Sequence, residues 1–418
     1  MDAMQSFNSK TKSRATTVLL GALAGLVVVS IVLFPDKAFQ SSLEGLTVWW
    51  KLVFPALMPF LIMTEMLIGF GLIHGTGVLL EPLMRLVFRL PGVSGWALAS
   101  GFVVGFPAGA KITASLHEKN LLSRKETERL TALSHLCSPI FLVMVVGIGF
   151  LHSAKLGIVL AVIHYASALL TGFLMPRGKR AEDERLVFQP VSGPLLKRAF
   201  LVMREAHEAD GRPFGRLLGD ATTSAVQTMM LIGGYMMIFS VLINVMTIAH
   251  LTDALRPVTH VVVSSLHVYS DTAPAWIKGF MEIHLGAYAF SQTELPLIGQ
   301  LALISAFLGW GGLSAHAQVA SMQHRSGARY LFFMQSRILH AVLAFVMTAL
   351  LWSPLQLLLR DTQPSFLWLD SGVSASPPFP VNGESAWSLW WPLLTQFVLV
   401  LIVMLLISST IRFLRKQR

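Results

Sequence analysis

Eight apolar segments, each about twenty residues or longer, dominate the sequence. They fall near 16–34, 46–73, 131–151, 156–175, 221–249, 295–322, 330–352 and 386–411. A helix needs about 20 apolar residues to cross a bilayer, and only helices or closed barrels satisfy their backbone groups there. Just 13% of the residues are charged, whereas soluble domains carry about 25%. We therefore expect an all-α membrane protein with about eight transmembrane helices.

The charge distribution predicts the orientation of these spans. With the N-terminus inside, the cytoplasmic pieces are the N-terminal tail, 75–130, 176–220, 323–329 and the C-terminal tail, and they hold 25 of the 32 Lys and Arg. Cytoplasmic loops of membrane proteins carry this excess of positive charge. Both termini are therefore predicted to be cytoplasmic, and 353–385 forms an external loop. The net charge of +10 then reflects membrane topology, and we predict no nucleic-acid partner.

The ends of the chain are interpreted as membrane anchors. The first segment ends at Phe34-Pro35 without a small-residue cleavage site, so we expect residues 1–40 to be a retained anchor. Residues 386–418 are predicted to be a final transmembrane helix with a basic tail. Zinc-ligand spacings, a Walker loop and a dinucleotide fingerprint are missing from the sequence, and its single cysteine, Cys137, cannot form an internal disulfide. We predict no catalytic residue, no cofactor and no metal, which disfavours an enzyme.

Two glycine-rich stretches, GFVVGFPAGA at 101–110 and GFMEIHLGAY at 279–288, resemble each other. Each follows a long span and a proline-containing connection, and each precedes a span with a broken centre: SHLCSP at 134–139 and GWGGLSAH at 309–316. The surrounding segments Val93–Lys111 and Pro274–Tyr288 are too interrupted or too short to cross. Because the flanks of each segment lie on one predicted side, we interpret both as re-entrant hairpins.

The two hairpins enter from opposite sides, which predicts two repeats of inverted topology. These are 41–176 and 221–352, joined by an amphipathic cytoplasmic linker at 177–220. Secondary transporters often have this plan, with the binding site where half-helices meet near the midplane. The alternative is that the glycines are helix-packing faces of the small-xxx-small type, which does not account for the shared order of elements.

Polar residues in the hairpins and broken spans are the candidate site, because ionisable groups are costly inside a membrane. Lys278 precedes Glu282 by four residues, a spacing that allows a pair on one helical turn. Lys111 is interpreted either as a surface topology charge or as a cation that attracts a carboxylate. A histidine such as His316 is often only packed and hydrogen-bonded. The predicted substrate-binding residues are Gly105, Pro107, Gly109, Lys111, Ser138, Pro139, Lys278, Glu282, His284, Gly286, Ser314 and His316.

Two runs of sequence carry a resemblance to a known family. The run SLEGLTVWWKLVFPALMPFLIMTEMLIGFG with EPLMRLVFRLPGVSGWALASGFVVGFPAGAKITASL, and the later KGFMEIHLGA, resemble the YlbJ (SpoVV) sporulation integral membrane proteins. These are related to spore maturation proteins and concentrative nucleoside transporters through a gate, or nucleoside-recognition, domain. The family tends to show Asn-Pro where this chain has Phe106-Pro107 and Ser138-Pro139.

The resemblance implies a transporter of endospore formers. Its substrate would be dipicolinic acid, a small organic anion, moved out of the mother cell across the outer forespore membrane. The alternatives are a carrier of a nucleoside or another neutral metabolite, and a non-transporting scaffold for spore assembly. The expected partners are the small-molecule substrate and the lipid bilayer; a homo-oligomer is compatible with the sequence, which identifies no interface.

Overall fold

The computed structural model describes residues 27–175, 194–264 and 272–359, together with residues 21, 24 and 25. These ranges are helical and contain no strand. The first part consists of α1 (Pro35–Gly69), α2 (Leu72–Leu86), α3 (Gly95–Val103), α4 (Ala108–Glu118), α5 (Arg124–Ser134), α6 (Phe141–Phe150) and α7 (Ala154–Leu174). The second consists of α8 (Leu195–Asp210), α9 (Phe214–Ile248), α10 (Leu251–Ser264), α11 (Ala273–Met281), α12 (Ile283–Ser291), α13 (Leu297–Trp310), α14 (Gly312–Gln323) and α15 (Tyr330–Leu359).

Five helices of the described ranges are long and apolar enough to cross a membrane: Pro35–Gly69, Ala154–Leu174, Phe214–Ile248, Leu297–Gln323 and Tyr330–Trp352. They coincide with five of the eight predicted spans. The predicted span 131–151 is instead two shorter pieces, α5 and α6, separated by four non-helical residues, 135–138. Eight of the nineteen residues of the predicted span 16–34, and all of 386–411, lie outside the described residues.

The helices follow the same order twice. A long helix (α1 or α9) and a shorter one (α2 or α10) lead to a pair of short helices, then to two helices separated by a break, and then to a long helix (α7 or α15). The two leading helices, α1 and α9, pack antiparallel. Ser240 Oγ donates to the Ser41 carbonyl at 2.6 Å near one end, and Ser224 Oγ donates to Glu65 at 2.9 Å near the other.

The helix α8 connects the two series and rests on α2. An ion pair joins Arg198 to Glu81 at 3.0 Å, and His207 Nδ1 lies 3.1 Å from the Gly69 carbonyl. Its apolar residues are only partly covered, since Ala199 is buried whereas Leu196 and Phe200 are exposed. The following helix already begins at Phe214, directly after Pro213, so the last residues of the predicted linker 177–220 belong to α9.

The first helix pair extends further than Val93–Lys111. Lys111 lies in the first turns of α4, which continues to Glu118 and ends before Asn120, a residue with φ of 57°. The prediction that Lys111 closes this unit is therefore wrong. The reason is local: no glycine or proline follows Pro107 and Gly109 until well beyond Asn120, and nothing interrupts the helix earlier.

Candidate functional site

The first helix pair, α3 and α4, packs closely against the C-terminal end of α5. A Cβ atom at Gly101 or at Gly109 would overlap the carbonyl oxygen of Ser134. Between the two helices, the Phe106 N–H donates to the Leu136 carbonyl at 2.8 Å. Gly105, with φ of +90°, provides the turn that brings this peptide into place. The glycines of the 101–110 stretch therefore allow the tip of the pair to bond to non-helical backbone.

The non-helical residues 135–138, called here the first break, are held by side chains from other helices. The Cys137 N–H donates to His164 Nε2 on α7 at 3.0 Å, and the Tyr165 hydroxyl donates to the Cys137 carbonyl at 2.7 Å. Arg337 on α15 donates from Nη1 to the His135 carbonyl at 2.7 Å. A buried backbone group without a partner is costly, so these three side chains make the break tolerable.

Arg337 is a fully buried cation without an acidic partner among the described residues. Its side chain is 1% exposed, and besides the first break it donates to His340 Nδ1 at 2.9 Å. Because arginine has only donors, His340 Nδ1 must accept, and its Nε2–H then bonds to the His164 carbonyl at 3.1 Å. His340 is therefore neutral and does not balance the guanidinium charge.

The second helix pair, α11 and α12, is joined at Glu282, which has an extended backbone. The helices touch so closely that a Cβ atom at Gly286 would overlap Gly279. The Glu282 carboxylate accepts the Leu285 N–H at 2.8 Å and therefore caps α12, and its other oxygen lies 2.7 Å from His284 Nδ1. Both side chains are buried.

The second break is a single residue, Gly311, with φ of +92°. A left-handed conformation of this kind favours glycine. The next residue, Gly312, lies directly against the backbone of Glu282 and Ile283 in the second helix pair. The Trp310 carbonyl, released by the end of α13, accepts from His316 Nε2 at 3.1 Å, so a single side chain from the adjoining helix satisfies it.

The two breaks meet, and His135 lies at their contact. A Cβ atom built on Gly311 would be 3.2 Å from His135 Nε2. The imidazole is stacked on Phe106 at 5.2 Å between ring centroids and packs edge-on against Phe333. It is 2% exposed, and neither ring nitrogen has a hydrogen-bond partner within the described part of the chain. An unpaired buried polar group at this position is a candidate ligand-binding group.

Ring contacts extend this centre to the second helix pair. Phe141, directly after the first break, packs against Phe106 at 6.4 Å and against His284 at 4.9 Å. These ring contacts, together with the contacts of Gly311 and Gly312, connect both helix pairs and both breaks in one continuous cluster. The candidate site, called here the centre, is the interior of this cluster.

A cavity of about 270 Å³ lies beside the centre. Phe333 forms part of its wall and also contacts His135 and His316, so it separates the cavity from the centre. At the rim, the Glu128 carboxylate is bound by the Arg329 guanidinium at 2.9 and 3.0 Å. Burial raises the pKa of Glu128, but the hydrogen bonds and charge of Arg329 outweigh this and leave the pKa below its ordinary value. This ion pair joins α5 to the residue before α15.

The structure brings ten of the twelve predicted site residues to this region. Gly105, Pro107, Gly109, Ser138 and Pro139 lie at or beside the first break. Ser314 and His316 follow the second break on α14, and Glu282, His284 and Gly286 belong to the second helix pair, whose Glu282 backbone meets Gly312. Two lysines are not brought there. Lys111 is exposed on α4. Lys278 binds Glu44 at 2.6 Å.

The pairing of Lys278 with Glu282 is therefore a wrong prediction. An i, i+4 pair requires continuous helix, but α11 ends at Met281 and Glu282 is extended, so its carboxylate turns to α12 instead. Four buried residues were missed or undervalued: His135, His164, Arg337 and His340. Each is an ionisable residue inside a predicted span, which was the available signal.

Within the described residues, no group of three His, Cys, Asp or Glu side chains is placed to hold a metal ion. The chemistry that the centre offers is hydrogen bonding and charge: a guanidinium, an unpartnered imidazole and aromatic faces.

The chain is similar to known proteins, first over this region and then over most of its length. Residues 50–152, which contain the first helix pair and the first break, match the Gate family, described as nucleoside recognition. The chain is 38% identical over 344 residues to the sporulation integral membrane protein YlbJ of Bacillus subtilis (strain 168), an alignment covering 82% of this chain and 84% of the relative. No solved structure matches.

Proposed function

We propose that this chain, which belongs to the YlbJ family of sporulation integral membrane proteins, is a secondary transporter that carries a small organic anion. The proposal rests on where the anion would be held. Arg337 is buried, cationic and unbalanced by any carboxylate of the described residues, and it lies at the first break. An isolated buried charge is very costly, and an anionic ligand would supply the missing counter-charge.

The architecture supports a carrier built from two inverted repeats. The same order of helices occurs twice, the leading helices α1 and α9 are antiparallel, and both breaks meet at His135. We take both helix pairs to be re-entrant hairpins, since each consists of two short helices packed on each other. In transporters of this kind, broken helices meet at a midplane site around which the halves rock.

Dipicolinate fits the chemistry of the centre. It is a flat aromatic ring with two carboxylates, so it needs cationic or N–H donors together with an aromatic surface. Arg337 and His135 offer the donors, while Phe106 and Phe333 offer ring faces. The family resemblance favours the same substrate, carried across the outer forespore membrane. The protein is then a carrier and not an enzyme.

The cavity beside Phe333 supplies an access route. Its rim residues Glu128, His324 and Arg329 belong to pieces that the charge distribution assigns to the cytoplasm. Its volume, about 270 Å³, is near the lower end for small-ligand pockets, about 300–1,000 Å³. We propose that rotation of Phe333 and separation of Glu128 from Arg329 open the centre to the cytoplasmic side.

Uptake by liposomes tests the proposal. Purified protein is reconstituted, and entry of labelled dipicolinate is measured against protein-free vesicles and against competing uridine. We expect protein-dependent uptake that excess unlabelled dipicolinate blocks and uridine does not. If neither compound enters, although the protein is monodisperse, the transport proposal fails and a scaffold role for spore assembly becomes the better account.

A nucleoside is the second candidate substrate, because the matching family is described as nucleoside recognition. A nucleoside is neutral and would use the aromatic faces and hydrogen bonds of the centre, leaving Arg337 unbalanced. Uptake of uridine without uptake of dipicolinate in the same experiment would establish this alternative.

A further inference from the structure

One buried acid in the centre has no role in holding an anion. The described residues contain two buried carboxylates, Glu128 and Glu282. Arg329 neutralises Glu128. Within the part of the chain that the structure describes, Glu282 has no arginine or lysine partner, and the nearest lysine along the chain, Lys278, binds Glu44. A carboxylate repels an anionic substrate, so Glu282 requires another explanation.

Among the described residues, His284 is the one titratable side chain bonded to Glu282. His284 Nδ1 is 2.7 Å from Glu282 Oε1, and the two side chains are 6% and 3% exposed, respectively. The second carboxylate oxygen accepts the Leu285 N–H. A neutral imidazole beside an ionised carboxylate gives the pair one negative charge. When the two groups share one additional proton, the pair has no net charge.

We propose that Glu282 and His284 form the proton-binding site through which the carrier couples substrate movement to a proton gradient. This inference rests on the proposed anion transport and names the coupling ion. A net negative charge is costly in a buried site, so the closed state holds the proton. When the second helix pair opens to water, the proton leaves to that side. The proton enters from water on one side and leaves to water on the other, and no bond other than N–H or O–H changes.

The Glu282–His284 pair contacts residues beside both breaks, so a change in its charge affects the packing of the centre. The Glu282 backbone touches Gly312 at the second break, and the His284 ring touches Phe141 after the first break. The carboxylate also caps α12. A proton on the pair removes the net negative charge of the carboxylate and would weaken that cap, which would loosen the joint between the second helix pair and both broken helices.

Few other titratable groups face the pair from neighbouring elements. Glu44 on α1 is neutralised by Lys278 on α11, and His316 on α14 is bonded to Trp310 and Tyr330. On α10 the titratable residues are Asp253, Arg256 and His260; Asp253 binds Arg256 and the preceding His250. The helices α6 and α13 have no titratable residue. On α9 and α12 the titratable residues are Arg216, Asp220, Tyr235 and Tyr288; Asp220 is bound to Arg212, and Tyr288 packs on Phe150.

Two assays on the same proteoliposomes test the inference. Counterflow exchange of labelled dipicolinate without a pH gradient reports transport alone, and accumulation under a pH gradient of either sign reports coupling. A gradient of one pH unit can drive accumulation of up to about tenfold for one coupled proton. The variants are Glu282→Gln and, as a matched control on an exposed carboxylate, Glu44→Gln.

We expect wild-type protein and Glu44→Gln to show both activities. Glu282→Gln should lose accumulation, down to the level of protein-free vesicles, while counterflow persists at a reduced rate. The inference is overturned if wild-type counterflow is robust but indifferent to the gradient, or if Glu282→Gln still accumulates substrate. Absence of wild-type counterflow would instead overturn the proposed substrate. If Glu282→Gln does not fold, the response of the wild-type protein to the gradient decides the matter.

Discussion

The first and second breaks occupy the same place in the two series of helices, but they are stabilised in different ways. The first break spans four residues, 135–138, and its backbone is held by His164 and Tyr165 from α7 and by Arg337 from α15. The second break is Gly311 alone, and the neighbouring Trp310 carbonyl is satisfied by His316 from the adjoining helix.

This difference separates two uses of a broken helix. At the second break the chain turns by means of glycine and keeps its polar groups satisfied locally, so it works as a joint. At the first break the polar groups are satisfied by side chains from two distant helices, one of them a buried cation. We infer that the first break recognises the substrate, whereas the second break and the Glu282–His284 pair provide movement and coupling.

Among the substitutions that distinguish the two breaks, replacement of Arg337 should have the largest effect on stability. Arg337→Gln removes the charge and shortens the side chain, so the His135 carbonyl loses its donor. An unsatisfied buried group costs about 1–3 kcal/mol, and the packing of α15 on the first break should weaken as well. We expect a clearly lower thermal-unfolding midpoint in detergent. Arg204→Gln, on an exposed ion pair of α8, should leave the midpoint within error; an equal loss in both variants would contradict the account.

Replacement of His164 should have the next largest effect. His164→Leu leaves the Cys137 N–H without its acceptor in a fully buried position, at a cost of about 1–3 kcal/mol. Thermal unfolding in detergent measures the loss. His207→Leu serves as the control, since His207 lies on α8 and is exposed. If His164→Leu were as stable as the wild type, the first break would not depend on α7.

Substitution of Gly311 tests the joint. Gly311→Ala places a Cβ atom 3.2 Å from His135 Nε2 and requires a left-handed alanine, which costs about 1–2 kcal/mol. Gly327→Ala is a matched control, because its φ is also positive, at +62°, but nothing lies within 4 Å of the added atom. We expect Gly311→Ala to lose more stability and to slow dipicolinate uptake, whereas Gly327→Ala should transport normally. Equal effects would show that contact between the breaks is unimportant.

The smallest effect is expected for Lys278. Its ion pair with Glu44 is half-exposed, and such pairs contribute about 0–1 kcal/mol. Lys278→Ala should therefore leave both the unfolding midpoint and dipicolinate uptake nearly unchanged. A large loss of uptake would return Lys278 to the substrate site and weaken the assignment of the charge-binding role to Arg337.

The sequence predicted the parts of this centre that depend on local backbone chemistry. Glycines at 101, 105 and 109, and the Ser-Pro and Gly-Gly interruptions, indicate short helices and breaks because each removes a steric or hydrogen-bonding constraint. The five long described helices follow from their apolar length in the same way.

The sequence could not show which side chains would satisfy the breaks. Arg337 lies within a continuous apolar helix, and its partner is a backbone carbonyl about two hundred residues away, which no spacing rule reveals. The Lys278–Glu282 pairing failed for a related reason: the rule assumed a helix at the residue where the helix ends. His135 gained its position only from the packing of α15 and Gly311 around it.

Equilibrium binding of labelled dipicolinate to the purified protein tests the central claim most directly. The claim is that an anionic substrate is held at the first break by Arg337. Wild-type protein should bind dipicolinate, and Arg337→Gln, if monodisperse, should bind about 10- to 100-fold more weakly, as expected for loss of a charged hydrogen bond. Arg337→Lys, which keeps the charge, should fall between them. A folded Arg337→Gln protein that binds dipicolinate with wild-type affinity would contradict the claim.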